Sequence, residues 1–125
     1  MNTKNLFIEE MKKRTKKFGV DVILFCDSLK QKKASSVVTY QLVKSATSTG
    51  ANYRAACRGR SQAEFFSNIC IVVEEADELV FWLEVIDESN LSNDKVELER
   101  LLNEGTEIVK IMTKTKDTTF KNMNT

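Results

Sequence analysis

Phe65-Phe66-Ser67-Asn68-Ile69-Cys70-Ile71-Val72-Val73-Glu74-Glu75-Ala76-Asp77-Glu78-Leu79-Val80-Phe81-Trp82-Leu83-Glu84-Val85-Ile86 sets apolar side chains at Phe65, Ile69, Val72, Ala76, Leu79, Leu83 and Ile86, a spacing of 4, 3, 4, 3, 4, 3. That period places all seven on one stripe of an α-helix and describes the seam of a helical bundle. A second line at Phe66, Val73 and Val80 widens the buried face to the width that a four-helix core needs. The spacing predicts a helix over 62–87. Phe81 falls opposite the seam and Trp82 on its flank, so at least one large ring should be uncovered in a single copy. Aromatic residues are enriched in interface centres, which makes Phe81 and Trp82 candidates for a subunit contact.

The same pattern recurs along the chain. Met11, Phe18, Val22, Phe25 and Leu29 mark a first helix over about 8–29, with strongly basic first turns. Leu42, Ala46, Thr49, Tyr53 and Ala56 mark a second over about 37–57, with Ser35 or Ser36 as its N-cap. Gly50 lies inside that helix at a cost of about 1 kcal/mol relative to alanine, which points to a crossing where a neighbouring backbone comes close, with a local kink as the alternative. Gly59 reads as a C-cap, and Ser61 with Glu64 as a capping box opening the third helix. Leu98, Leu101, Gly105, Ile108 and Met112 mark a fourth over about 94–114. Residues 117–125 read as a polar tail beyond a bundle formed by residues 1–116, with fraying from about Thr115 onward. Short connections require consecutive helices to pack antiparallel. The expected fold is all-α, an up-down-up-down antiparallel four-helix bundle.

Composition agrees. The 125 residues include no proline, four glycines and 42% apolar residues, so one helical domain is expected. The longest apolar runs, residues 22–26 and 69–73, are too short to cross a bilayer, and the start has no leader-like apolar region, so a cytoplasmic location with no membrane partner is expected. Cys26, Cys57 and Cys70 form no CxxC pair and are read as reduced structural residues. The chain has no histidine. That removes the commonest general base, the Ser-His and Cys-His nucleophile pairs and most zinc sites, so no catalytic residue, metal or cofactor is expected and the protein is read as a non-enzyme.

A formal net charge of +1 hides a division. Residues 1–60 carry thirteen Lys and Arg against four Asp and Glu, whereas residues 61–125 carry six against fourteen. Helices 1 and 2 are therefore basic, and helices 3 and 4 acidic. Three readings follow: offsetting charges within one copy, head-to-tail association into a ring, or nucleic-acid binding by the basic face. For the last, the basic face comprises Lys12, Lys13, Arg14, Lys16 and Lys17 on helix 1 with Lys44, Arg54, Arg58 and Arg60 on or just after helix 2, and Arg14, Lys17, Lys44, Arg54, Arg58 and Arg60 are the candidate contacts. Phosphate contact without base reading is the physical expectation, since no stacking aromatics are grouped with them. The rival is a protein-interaction module in which Glu74, Glu78 and Trp82 dock a basic partner and nucleic acid has no role.

Residues Gln41-Leu42-Val43-Lys44-Ser45-Ala46-Thr47-Ser48-Thr49-Gly50-Ala51-Asn52-Tyr53-Arg54-Ala55-Ala56, together with Ser61, Glu64-Phe65, Glu74-Glu75-Ala76-Asp77-Glu78 and Phe81-Trp82-Leu83-Glu84, resemble the small bacterial four-helix-bundle proteins of 23S ribosomal RNA intervening sequences. The resemblance implies an up-down bundle and a homo-oligomer, often a five-membered ring, and implies no reaction. A related group, the accessory proteins of diversity-generating retroelements, forms basic rings that bind a reverse transcriptase and nucleic acid. This kinship suggests RNA, DNA or such a nucleic-acid-processing protein as partner, although near-neutral charge and acidic helices 3 and 4 depart from it. Gly50, Ala51 and Asn52 match the family's shared helical turn, and Trp82-Leu83 its aromatic pair. Asn52 is a candidate for a hydrogen bond across the bundle or at a subunit boundary.

Overall fold

A computed structural model describes residues 2–125. Four helices follow one another, α1 Thr3–Cys26, α2 Ser35–Cys57, α3 Gln62–Glu88 and α4 Lys95–Met123. Contacts run α1 to α2, α2 to α3, α3 to α4 and α4 back to α1, with no diagonal pair, which is the square of an up-down bundle. The α3 seam is its centre: Ile69, Val72, Ala76, Leu79, Leu83 and Ile86 are buried, and only Phe65, at the start, is partly open. Met11, Phe18, Val22 and Phe25 of α1, Leu42, Ala46, Tyr53 and Ala56 of α2, and Leu98, Leu101, Ile108 and Met112 of α4 complete the core.

Small residues set how closely the rods approach. A Cβ on Gly50 would lie 3.2 Å from the Thr15 carbonyl oxygen of α1, so the expected crossing is there, backbone against helix. Gly105 does the same between α4 and α3, where a Cβ would stand 2.9 Å from a Leu79 methyl.

The ends differ in detail from the sequence expectations. The α1 helix begins at Thr3, earlier than its apolar line, because Asn2 caps it by accepting from the Asn5 N–H at 2.8 Å. Ser35 does not cap α2. Ala34 holds that position without a side-chain bond, while Ser35 is the first helical residue and its hydroxyl donates to the Lys30 carbonyl and accepts from the Lys32 N–H. Gly59 is not left-handed, since the glycines have no positive φ; it is needed because a Cβ would lie 3.1 Å from the Ala56 carbonyl oxygen. Ser61 caps α3 as read, accepting from the Glu64 N–H, but the Glu64 carboxylate returns to the Arg60 N–H rather than to Ser61. The α4 helix does not fray at Thr115. It continues to Met123, with Thr119 buried and the Phe120 ring 5.7 Å from that of Phe66 on α3.

At the end formed by the α1–α2 and α3–α4 connections, the two loops are joined. The Lys30 N–H donates to the Leu91 carbonyl and the Asn93 N–H to that of Ser28, an isolated antiparallel bridge at Leu29 and Ser92 that buries Leu29 and Leu91 as a plug. The α3 helix stops there because Asn90 takes a φ of 56° while Asn90 and Leu91 donate to Asp87 and Ile86. That is a Schellman closure with asparagine in the left-handed position.

Candidate nucleic-acid and subunit surfaces

The six basic candidates do not form one site. Arg14, on the α4 side of α1, makes a two-pronged pair with Glu104 at 2.7 and 2.8 Å. Lys17 is bound to Asp21 at 2.7 Å, and Asp21 also accepts from Arg100, which holds Glu97 in turn. Burial pushes the Asp21 carboxyl up, but hydrogen bonds from Lys17 and Arg100 outweigh it and leave it below its ordinary value. Hydrogen bonding from Arg100 likewise holds Glu97 down. Both Arg14 and Lys17 are thus engaged in tying α1, directly or through Asp21, to α4.

Lys44 stands alone on α2, close enough to Glu75 of α3 to pull its carboxyl down. Burial and then the neighbouring Glu78 push the other way, and Glu75 ends above its ordinary value. Arg54, Arg58 and Arg60 are the group that the fold assembles. Arg54 and Arg58 are one helical turn apart on the outer face of α2, Arg60 follows the helix end, and all three are exposed without an ion pair among the described residues. Lys44 lies about 15 Å away along the axis from Arg54. Across the α1–α2 contact, where Thr15 meets Gly50, Lys13 and Lys16 are exposed at the middle of α1, without an ion pair among the described residues and within roughly 10 Å of Arg54 along the axis. The sequence placed Lys13 and Lys16 in the basic face of helix 1 but did not single them out, because pairing, not charge, separates them from Arg14 and Lys17.

The subunit candidates also separate. Phe81 is 52% exposed and stands edge-on to a half-buried Trp82, with ring centroids 5.1 Å apart. Asn52 donates at 2.8 Å to the Ser48 carbonyl of its own helix, so it makes no bond across the bundle. With Lys44 beside Glu75 on the antiparallel α3, Asn52 and Trp82 lie roughly 20 Å apart along the axis. What Phe81 and Trp82 do share an end with is apolar: Val37 and Tyr40 in the first turns of α2, and Val20, Ile23 and Leu24 in the last turns of α1, are all exposed. The outer surface of α1 and α2 therefore carries Val20, Ile23, Leu24, Val37 and Tyr40 towards one end and Arg54, Arg58 and Arg60 towards the other, where Leu6 and Phe7 are exposed as well.

These features define an all-α, up-down four-helix bundle with divided surface charge, in which, among the described residues, no helix is long and apolar enough to cross a membrane. The chain belongs to the 23S rRNA-intervening sequence protein family, whose model matches residues 9–114. It is similar to a solved protein of unknown function from the S23 ribosomal protein family of Bacteroides thetaiotaomicron VPI-5482, with 27% identity, a TM-score of 0.77, and coverage of 88% of this chain and 97% of that one. No curated protein matches the chain.

Proposed function

We propose that this protein is a cytoplasmic, non-enzymatic homo-oligomeric scaffold that holds nucleic acid, or a nucleic-acid-processing protein such as a reverse transcriptase, on the basic end of α1 and α2. The observation that carries this reading is the group Arg54, Arg58 and Arg60, joined by Lys13 and Lys16, without an ion pair among the described residues, whereas Lys12, Arg14 and Lys17 of α1 are held in ion pairs. Arginines one turn apart suit phosphate oxygens. Self-association is supported by exposed apolar side chains near the end of the α1–α2 connection, Val20 and Leu24 on α1, Val37 and Tyr40 on α2 and Phe81 on α3. A closed ring, five-membered as in the family it resembles, would cover that end in each copy while leaving the basic end open.

Labelled RNA and DNA titrated over a salt series test the reading. Affinity should fall by a constant power of salt concentration as phosphate contacts exchange with counterions, and Arg54→Glu with Arg58→Glu should abolish binding with helicity intact. Absence of binding even at low salt would remove it. In that event the rival stands on its own observation: burial, and after it the neighbouring carboxylates Glu78 and Glu74, hold Glu75 on α3 above its ordinary value, with Lys44 as the cation that offsets them there. That is a surface for a basic protein partner.

A further inference from the structure

At the end where α1 begins and α4 finishes, the bundle is not closed. A cavity of about 820 Å³ opens between α1 and α4, which meet more sparsely than the other neighbours do, and the wall is completed by the end of α2 and the start of α3. That volume falls within the range of about 300–1,000 Å³ typical of small-molecule sites. Ile8, Ala56, Phe65 and Ile111 give it an apolar interior. The Thr115 and Thr119 hydroxyls donate to carbonyls of their own helix, at Ile111 and Thr115, while Gln62, Thr118 and Asn122 add neutral polar groups to the lining. The Tyr53 phenol and the Cys57 thiol lie against each other in the wall, and burial pushes both up, so both stay neutral.

The lining contains no carboxylate. Its two charges are Lys4 and Lys114, on α1 and α4, and neither has an ion-pair partner among the described residues. Lys110 and Lys121 lie beside Lys114 on the outer surface of α4, with Asp117 the one acid among them. An apolar interior with unpaired ammonium groups attracts one kind of small molecule: an apolar chain ending in an anion. We infer that the end cavity binds a single-chain fatty carboxylate, its tail among Ile8, Ala56, Phe65 and Ile111 and its head group at Lys4 and Lys114. Cys57 then lies in the wall beside the tail, where a bound ligand would shield it, whereas Cys26 and Cys70 do not line the cavity.

Calorimetric titration of the full chain with decanoate below its micelle concentration tests this. One decanoate should bind per chain, about tenfold more tightly than octanoate, since two methylenes are removed from water. Decyltrimethylammonium should bind more weakly, and Lys4→Glu with Lys114→Glu should weaken decanoate about fivefold. Thr115→Trp, which fills the cavity from α4, should abolish binding with helicity intact. Peptide mapping after iodoacetamide treatment of the unaltered chain gives a second readout: decanoate should slow labelling of Cys57 and leave that of Cys70 unchanged. Equal binding of the cationic amphiphile, no dependence on chain length, or unprotected Cys57 at saturating decanoate would overturn the proposal. So would binding to phosphatidylglycerol vesicles with none of free decanoate.

Discussion

Glycine means different things at two positions along the α1–α2 contact. At Gly50 a Cβ would press on the Thr15 backbone at 3.2 Å, and backbone cannot turn away as a side chain can. At Gly19 the nearest atoms are the Thr47 methyl at 3.5 Å and the Thr47 Cα at 3.6 Å, ordinary van der Waals contact. Alanine gains about 1 kcal/mol of helix propensity at either site. At Gly50 that gain is outweighed by forcing the helices apart, a strain of about 1–3 kcal/mol. Gly19→Ala should therefore raise the thermal midpoint and Gly50→Ala lower it, as followed by circular dichroism; equal shifts of one sign would show that the helix spacing is not fixed at Gly50. The sequence announced Gly50 because glycine broke a helical stripe. It gave no such signal for the different role of Gly59, whose need arises from the packing of Glu64 and the turn before it.

Between elements, α1 and α4 are the sparsely joined pair, and ionic straps span them: Arg14 to Glu104, and Asp21 to Arg100. Asp21 has its folded value lowered, so its contribution is present above the unfolded carboxyl value of about 3.9 and is lost as pH falls through the folded one. Asp21→Asn should cost about 1 kcal/mol at neutral pH. The gap between variant and parent should narrow as pH falls below the unfolded carboxyl value of about 3.9 and Asp21 takes up its proton in the parent as well. Denaturant melts at pH 7 and pH 3 measure it, and a gap of unchanged size would mean that Asp21 contributes through packing instead. The rods were legible because a 4, 3 spacing reports burial directly. The straps were not, since Arg14 and Glu104 are ninety residues apart and nothing local links them. The last two turns of α4 were missed for a related reason: Thr119 and Phe120 carry no stripe of their own, and helix is kept there by Phe66 across the bundle.

For the whole molecule, the division into basic and acidic halves was plain in the sequence, but which cations remain free is a property of the assembled bundle. Folding commits Arg14 to Glu104 of α4 and Lys17 to Asp21 of α1, and leaves Arg54, Arg58 and Arg60 without an ion pair among the described residues. It also separates two surfaces that a linear reading could not order, with Tyr40 and Phe81 towards one end of the rods and Arg54 and Arg58 towards the other. Self-association through the apolar end and nucleic-acid contact through the basic end should then be separable by mutation. Tyr40→Glu with Phe81→Glu should reduce the solution mass to that of one chain at unchanged helicity, while Arg54→Glu with Arg58→Glu should leave the mass alone and remove nucleic-acid binding. Salt distinguishes them again, because burial of apolar surface survives 1 M salt whereas contacts between exposed charges are screened within about 3 Å under those conditions. An assembly that dissolves as salt rises, or that falls apart on reversing Arg54 and Arg58, would place the subunit contact on the charged halves instead, basic side against acidic side, and would leave the apolar end of α1 and α2 without a role in assembly.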